Sequence, residues 1–343
     1  MKLSILDQSQ IAEGRHASDA LRETTKLAQL ADKLGYNRFW VAEHHASQAL
    51  ASSSPEVLIA HIAALTQRIK VGSGGIMMPH YSAYKVAENF RVLEALHPGR
   101  IDVGLGRAPG GMPISTRALQ EGKVSHIDNY PQQVADLIGY LHDSLPERHR
   151  FKGLVASPAI PTAPDLWLLG SSYGSAVIAA EIGAAYAYAQ FFGVPDSEVS
   201  VQAYKERFQP SALNDKPRLL AAVYVICADT EEEAERLASS TDLFFHSLES
   251  GRLLDRFPSV ETAQAYPYTD YDLARIQAGR HRRIVGTPEQ VKSRMEAMSE
   301  RLGIEEFMVV TVTHNFEARL RSYELVAQAF GLTESGDSID SSK

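Results

Sequence analysis

The sequence predicts an α/β fold, a (β/α)8 TIM barrel with loop insertions. Short apolar runs alternate with helical patterns along most of the 343 residues, and the eight strand candidates are the number that closes a parallel barrel. The apolar fraction of 44% supplies enough material for a large core. No Gly-x-Gly-x-x-Gly motif lies between the first strand and the first helix, which removes the main sequence support for an open dinucleotide-binding sheet.

The predicted elements follow from their apolar spacing. The strand candidates are residues 2–7, 38–43, 70–76, 100–106, 165–170, 184–192, 219–227 and 306–313. The helix candidates follow the 3.6-residue period and are residues 18–34, 55–66, 82–96, 129–141, 172–182, 196–208, 230–240, 288–302 and 316–330. Several helix starts carry capping signals. Thr287-Pro288-Glu289-Gln290 combines a Thr cap, Pro at the first helical position and Gln at the third.

Two irregular stretches interrupt the alternation. Residues 151–164 contain three prolines and are expected to form an extended surface loop. Residues 242–283, rich in Tyr, Arg and Pro, are expected to be an insertion near the seventh and eighth units. Insertions of this kind often build walls over a barrel mouth, and with residues 109–125 we expect them to line the substrate pocket. We predict a single domain over residues 1–332 and a disordered tail over residues 333–343.

Composition and charge exclude several functional classes. A net charge of −8 and a pI near 5.9, without any Lys/Arg block, argue against a nucleic-acid surface. Cys227 is the only cysteine, which excludes internal disulfides and cysteine-rich zinc sites. No apolar run approaches a membrane span, and the N-terminus lacks the apolar stretch of a signal peptide. The sequence therefore predicts a cytoplasmic protein with neither a nucleic-acid nor a membrane partner.

The second predicted strand ends in an acid and two imidazoles, Glu43, His44 and His45. In such folds the catalytic residues lie at the carboxyl ends of the strands. Because side chains alternate along a strand, at most one of the two histidines faces a shared pocket. We predict that His44 transfers a proton and interpret the other two residues as its support. The alternatives are a purely structural role and a metal site that adds His80 or His314.

Glycines mark the third predicted strand, in Gly72-Ser73-Gly74-Gly75-Ile76. Glycine inside a strand commonly marks a bulge or a close backbone approach. We expect Gly74-Gly75 to bulge toward a planar ring, with a strained or cis peptide as one form of that bulge. The alternative is that small residues satisfy the packing of a narrowing barrel.

The next two strand ends carry candidate phosphate ligands. Arg107 follows the fourth strand with a permanent positive charge suited to bidentate phosphate binding. Gly170-Ser171-Ser172 lies where the fifth strand turns into a helix, so main-chain N–H groups and two hydroxyls there can bind a phosphate. The alternatives are a solvated arginine and a simple serine cap. His126 and Tyr130, four residues apart, add an imidazole and a phenol on one helix face, with surface placement as their alternative.

These motifs together resemble the bacterial luciferase-like family of flavin-dependent monooxygenases. The resemblance rests on Glu43-His44-His45, on Gly72 to Ile76 followed by Met78-Pro79, and on Gly99-Arg100-Ile101-Asp102 with Gly104-Leu105-Gly106-Arg107. It continues in Val285 to Val291 and in Phe307-Met308-Val309, and so covers nearly the whole chain. The resemblance implies a (β/α)8 barrel that holds reduced FMN, supplied by a separate flavin reductase, or a deazaflavin instead, and that oxidises a small organic substrate with O2.

The same resemblance implies roles for individual residues. His44 matches the catalytic histidine, and Gly74 and Gly75 fall where relatives place a non-proline cis peptide beneath the flavin ring, with Ile76 beside them. The expected remaining contacts to the cofactor are Arg107, Gly170, Ser171, Ser172 and Tyr173 around the phosphate, together with His126 and Tyr130. A cysteine that neighbours the flavin in true luciferases is Gly106 here, which argues against light emission. A deazaflavin-dependent hydride-transfer enzyme and a non-catalytic flavin-binding protein are the alternative functions.

The helix predicted at residues 55–66 is apolar over more than one face, in Val57, Leu58, Ile59, Ile62 and Leu65. A helix that only covers a barrel needs one apolar stripe. Relatives also commonly pair through this region, and we therefore predict a homodimer.

Overall fold

The computed structural model describes residues 1–108, 110–121, 127–192 and 197–332, and its strands and helices follow the predicted alternation. Its strands are β1 (Lys2–Asp7), β2 (Arg38–Val41), β3 (Lys70–Ser73), β4 (Ile76–Met77), β5 (Ile101–Gly106), β6 (Asp165–Gly170), β7 (Ala185–Ala189), β8 (Leu219–Cys227), β9 (Arg283–Gly286) and β10 (Glu306–Val310). Its helices are α1 (Ala17–Leu34), α2 (Pro55–Leu65), α3 (Ala83–Leu96), α4 (Pro113–Leu119), α5 (Tyr130–Leu141), α6 (Tyr173–Ile182), α7 (Ser197–Arg207), α8 (Glu231–Glu249), α9 (Val260–Ala265), α10 (Asp270–Gly279), α11 (Pro288–Leu302) and α12 (Phe316–Ala329).

The strands close into a parallel barrel, which confirms the predicted fold class. The sheet runs β10-β1-β2-β3-β5-β6-β7-β8, and β10 pairs with β8 to close it. Every ladder is parallel, with Leu6 opposite Trp40 between β1 and β2 and Val309 opposite Val223 at the closing pair. Parallel strands joined by helices place all carboxyl ends at one mouth. The predicted strand-end residues therefore share one face of the barrel.

The third predicted strand is one strand broken in two. β3 ends at Ser73, the Gly74–Gly75 peptide is cis, and β4 resumes at Ile76. Both pieces pair with β5. The continuous strand predicted over residues 70–76 is therefore wrong in its centre, and the predicted bulge lies there.

Residues 242–283 contain the end of α8, then α9 and α10, and reach the first residue of β9, so their prediction as an irregular stretch is wrong. Their prediction as an insertion is confirmed, because α9, α10 and β9 lie in the chain between β8 and β10, which pair directly to close the barrel. Helix α8 continues past the predicted end at Ser240 because Leu243 and Ser247 are buried on its inner face. The Thr241 hydroxyl donates to the carbonyl oxygen of Val312, 2.8 Å away. Helices α9 and α10 follow, and Arg283 opens β9, a strand that was missed and that pairs with β8 beside the closing pair of the barrel. Likewise, α4 lies within the loop predicted at residues 109–125.

The barrel interior separates into an apolar layer and an ionic floor. In the apolar layer, Trp40 meets Trp167 edge to face, with ring centroids 5.7 Å apart. At the floor, the buried Arg38 guanidinium donates to Asp102 at 2.7 and 2.8 Å and to Glu306 at 2.9 Å. Buried ions of opposite charge hold one another in this way only when each is hydrogen-bonded. The amino end of the barrel is thus closed by ion pairs, and open space is left to the carboxyl mouth.

Candidate active site

Glu43 lies at the centre of a hydrogen-bond network just after β2. Its carboxylate is fully buried. One oxygen accepts from the Tyr81 hydroxyl at 2.7 Å and lies 2.6 Å from His45 Nε2, while the other accepts from the main-chain N–H of Met77 at 3.0 Å. Burial and the Glu43 carboxylate raise the pKa of the Tyr81 phenol, which is therefore neutral and donates. The network fixes the end of β2 to the chain that follows the Gly74–Gly75 peptide.

His44 is placed differently from its neighbour. Its main-chain N–H donates to the carbonyl oxygen of Ser52 at 2.8 Å. The ring atom Nδ1 is buried and has no hydrogen-bond partner within the described residues. Burial, with a smaller contribution from His45, lowers the pKa of His44 to about 4. At neutral pH the ring is therefore uncharged, and a buried polar atom without a partner is the kind of group that a ligand satisfies.

The glycines beside His44 are explained by packing. The main-chain N–H of Gly74 donates to the carbonyl oxygen of Val41 at the end of β2. A Cβ on Gly74 would lie 2.6 Å from Leu6 Cδ1, and one on Gly75 would lie 2.8 Å from the Gly104 carbonyl oxygen. Only glycine fits at position 75, where the obstacle is main chain, whereas a side chain at position 74 would require the Leu6 side chain to move. The packing alternative thus accounts for the residue types, and contact with a planar ring stays a prediction.

Two predicted cofactor ligands turn their side chains away from the barrel mouth. Ile76 is fully buried in a second, outer apolar layer, which lies between the sheet and the helices. Only its main chain is therefore available to a cofactor. Tyr130 is buried in the same layer, and its hydroxyl donates to the carbonyl oxygen of Leu105 at 3.2 Å. Burial raises the pKa of the Tyr130 phenol, against the smaller opposing effect of the nearby Arg107. Tyr130 therefore fastens the end of β5. His126 lies outside the described residues.

Arg107 and the start of α6 lie at neighbouring strand ends. Leu105 of β5 pairs with Leu168 of β6, which places Arg107 and Gly170 two residues further along. Arg107 is exposed and forms no ion pair within the described part of the chain. Ser172 caps α6, its hydroxyl accepting from the main-chain N–H of Ser175 at 3.3 Å, so the cap alternative holds for this hydroxyl. The main-chain N–H groups of the first turn remain suited to an anion.

The remaining members of that turn are accessible to different degrees. Ser171 is half-buried and Tyr173 is 47% exposed, with its ring 5.9 Å from the Arg207 guanidinium. Gly170 is required because the Ser175 hydroxyl occupies the space that a Cβ would need. The close approach brings the α6 N-terminus directly to the end of β6.

The alternative metal ligands are partly engaged elsewhere. Glu43 is held by the network described above, and His314 Nε2 lies 3.1 Å from the Glu13 carbonyl oxygen. Within residues 1–108, 110–121, 127–192 and 197–332, no group of three or more His, Cys, Asp or Glu side chains has an arrangement that could hold a metal ion.

None of the helices in these ranges combines the length and the apolar character that a membrane crossing requires.

An aromatic cluster at the mouth was missed in the sequence. It consists of Phe191, Tyr224, Phe244, Phe245 and Phe257, joined by ring-centroid distances of 4.8 to 5.8 Å. The cluster belongs to the same apolar interior as Leu6 and Trp40, beside Gly74. The pairs Phe191-Phe192 and Phe244-Phe245 were its only sequence signal, and periodicity alone does not place such pairs.

The sequence matches known proteins along most of its length. The profile of a family described as luciferase-like monooxygenase matches residues 1–306. An uncharacterised protein YwcH of Bacillus subtilis (strain 168) is 57% identical over 96% of this chain and 99% of its own. The N-acetyl-S-alkylcysteine monooxygenase of the same organism is 39% identical over 96% of this chain and 98% of its own.

Solved structures agree with this similarity. Apo-MsnO8 superposes with a TM-score of 0.89 at 39% identity and covers 97% of this chain and 99% of its own. Two more distant structures share the fold. The FMN complex of the oxygenating constituent of 3,6-diketocamphane monooxygenase, from the CAM plasmid of Pseudomonas putida, has a TM-score of 0.69 at 18% identity, covering 96% and 98%. An F420-dependent secondary alcohol dehydrogenase, bound to an F420-acetone adduct, has a TM-score of 0.67 at 13% identity. It covers 96% of this chain and 98% of its own.

Proposed function

We propose that this chain, which belongs to the luciferase-like monooxygenase family, is a flavin-dependent monooxygenase that uses reduced FMN and O2 on a small organic substrate. In this reaction one oxygen atom enters the substrate, the other leaves as water, and the reduced flavin supplies two electrons. The observation that carries the proposal is His44 Nδ1, a buried polar atom without a partner among the described residues, at the carboxyl end of a barrel strand.

The residues at the mouth fit a flavin phosphate and ring. Arg107 and the first-turn N–H groups of α6, beside Ser171, would bind the phosphate at two adjacent strand ends. The Gly74–Gly75 peptide and the main chain of Ile76 would lie against the ring. Reduced FMN, when bound, supplies the electrons that activate O2. His44 would then hold or move a proton at Nδ1, because its neutral ring can either accept or donate there.

The proposed function is tested by isotope incorporation. The protein, reduced FMN and ¹⁸O₂ are combined with a panel of small organic substrates that begins with N-acetyl-S-alkylcysteines, because a relative at 39% identity is named for them. We expect a product that carries one ¹⁸O atom, and no such product with oxidised FMN. Reduced deazaflavin is tested with the same preparation under anaerobic conditions. Hydride transfer from it, or flavin binding without any product across the panel, would contradict the proposal in favour of the two alternative functions.

Two partners belong to the same proposal. A separate flavin reductase would supply the reduced FMN.

A second copy of the chain would cover the outer face of α2 and α3, where Val57 is 69%, Leu65 45%, Val92 47% and Leu96 65% exposed. Apolar side chains gathered on neighbouring helices indicate a protein interface. We expect sedimentation at micromolar concentration to give a dimer mass that Val57→Asp and Leu96→Asp shift to a monomer. A monomer mass for the unaltered chain would refute this prediction.

A further inference from the structure

A cavity of about 210 Å³ opens between β8, α8 and α10. Its apolar wall is part of the aromatic cluster, where the Tyr224 ring lies 4.8 Å from Phe191 and 5.1 Å from Phe245. Leu248 and Ile276 complete that wall. Apolar cavities of about 150 Å³ hold a benzene molecule in proteins. This cavity therefore has room for a phenyl or short alkyl group.

The cavity lies at the barrel mouth. Tyr224 belongs to the apolar interior that also contains Leu6 and Trp40, and its hydroxyl is within 3.5 Å of Gln8 Nε2, just beyond β1. In the sheet, only β10 and β1 separate β8 from β2, the strand that leads to His44. A ligand in this cavity would thus lie across the mouth from His44.

One side of the cavity carries an incompletely satisfied guanidinium. Arg283 is buried, and its Nη2 lies 2.8 Å from Asp242 Oδ1. Asp242 is shared with Arg280, whose Nη2 lies 2.5 Å from Oδ2. Arg283 Nη1 is buried and has no hydrogen-bond partner within the described chain. Asp242 Oδ1 likewise has no hydrogen bond, so Arg283 and Asp242 are close as ions without a hydrogen bond between them. The Arg283 guanidinium therefore keeps a donor for a ligand carboxylate.

The charges that line the cavity favour an anion. Arg275, Arg282 and Arg283 line it together with the carboxylates of Asp242 and Glu249. Glu249 is within 2.8 Å of Arg282 and 3.5 Å of Arg275, so it also serves two guanidiniums. The lining therefore carries an excess of one positive charge. A single carboxylate on a ligand would balance it.

We propose that this cavity binds an organic acid as the substrate, with its apolar group against the rings of Phe191, Tyr224 and Phe245 and its carboxylate on Arg283 Nη1. The inference rests on the proposed function, since it names the substrate class of the same barrel mouth. Binding to the cavity is nevertheless measurable without turnover. This allows the two proposals to fail separately.

The test compares two probes that differ only in charge, N-acetyl-S-benzylcysteine and its carboxamide. Titration calorimetry on the full chain, with and without FMN, should show the acid binding about 10–100-fold tighter, the range of one charge-assisted hydrogen bond. The double variant Arg283→Gln/Asp242→Asn removes both charges of this ion pair, while Arg280 keeps its second ion pair, with Glu235 at 2.7 Å. We expect it to bind both probes equally.

A steric variant keeps the test decisive if the double variant does not fold. Ile276→Trp fills the cavity without removing a charged side chain and should weaken both probes at least about tenfold. Leu273→Trp on the same helix is the matched control, because Leu273 is 51% exposed and does not line the cavity. Equal affinity of the unaltered chain for acid and amide, no binding of either probe, or no effect of Ile276→Trp would each overturn the inference. Selective acid binding without ¹⁸O product would overturn only the proposed function.

Discussion

Replacing Arg38 by Met is expected to lower the free energy of unfolding by about 3–5 kcal/mol, the largest single stability effect that we predict. Arg38 lies in the ionic floor, with its side chain only 5% exposed and Asp102 not exposed at all. The substitution keeps an apolar stem of similar length. It removes the guanidinium between Asp102 and Glu306 and leaves both carboxylates without their main partner. Denaturant unfolding at pH 7 measures the change.

The stability that the Arg38→Met variant loses should depend on pH in a defined direction. Burial already raises the pKa of Asp102, and Arg38 opposes that rise. Without Arg38 the pKa of Asp102 rises further above its unfolded value, so the folded variant takes up a proton that the unfolded chain does not hold. Protonation relieves the buried charge. We therefore expect the variant to lose less stability at pH 5 than at pH 8.

An exposed pair provides the matched control. Arg236 donates to both carboxylate oxygens of Glu233, at 2.7 and 2.8 Å, on the solvent face of α8. Arg236→Met should cost about 0–1 kcal/mol, because water replaces the lost partner. If Arg38→Met cost no more than this control, the ionic floor would contribute little to the stability of the barrel.

The sequence predicted the barrel because its signal is local and repeated. Each strand is a short apolar run, each helix an amphipathic period, and nearly all predicted elements occur within a few residues of their expected ends. The elements that were missed depend on distant contacts. Helix α8 continues through Ser239-Ser240-Thr241, residues of low helix propensity, because Leu243 beyond them is buried and the Thr241 hydroxyl donates to Val312. Strand β9 pairs, among the described strands, with β8 alone.

The candidate site was predicted in place but not in orientation. Strand ends of a parallel barrel must converge, so His44, Gly74 and Arg107 could be placed at one mouth from order alone. The direction of a side chain requires the register. The interruption at Gly74–Gly75 separates Ile76 from the inward and outward alternation of side chains along β3. The Ile76 side chain lies in the outer apolar layer. The sequence did not single out Arg283, because its position beside the cavity depends on an ion pair with Asp242, 41 positions earlier in the chain.

Replacing His44 by Gln is expected to lower kcat by about 10²–10⁴-fold with any panel substrate that is oxidised, the range of one proton-transfer group. Gln fills similar space and can hydrogen-bond, but it does not titrate. His45→Gln is the informative contrast, because His45 is bound to Glu43 and belongs to the supporting network. That variant should lose about 1–3 kcal/mol of stability while kcat stays within about tenfold. Equal losses of kcat in both variants would contradict a distinct role for His44.

A readout without turnover accompanies this prediction. Because burial lowers the pKa of His44 to about 4, its ring resonances should titrate near that pH rather than near the unperturbed value of about 6.5. Between these two values the unfolded chain binds a proton that the folded chain does not. The free energy of unfolding should therefore fall as pH drops from about 6.5 to about 4, and His44→Gln should remove that part of the pH dependence. A His44 ring that titrates near 6.5 would show that the group is solvated, and the neutral, unpartnered Nδ1 on which the proposed proton transfer rests would be lost.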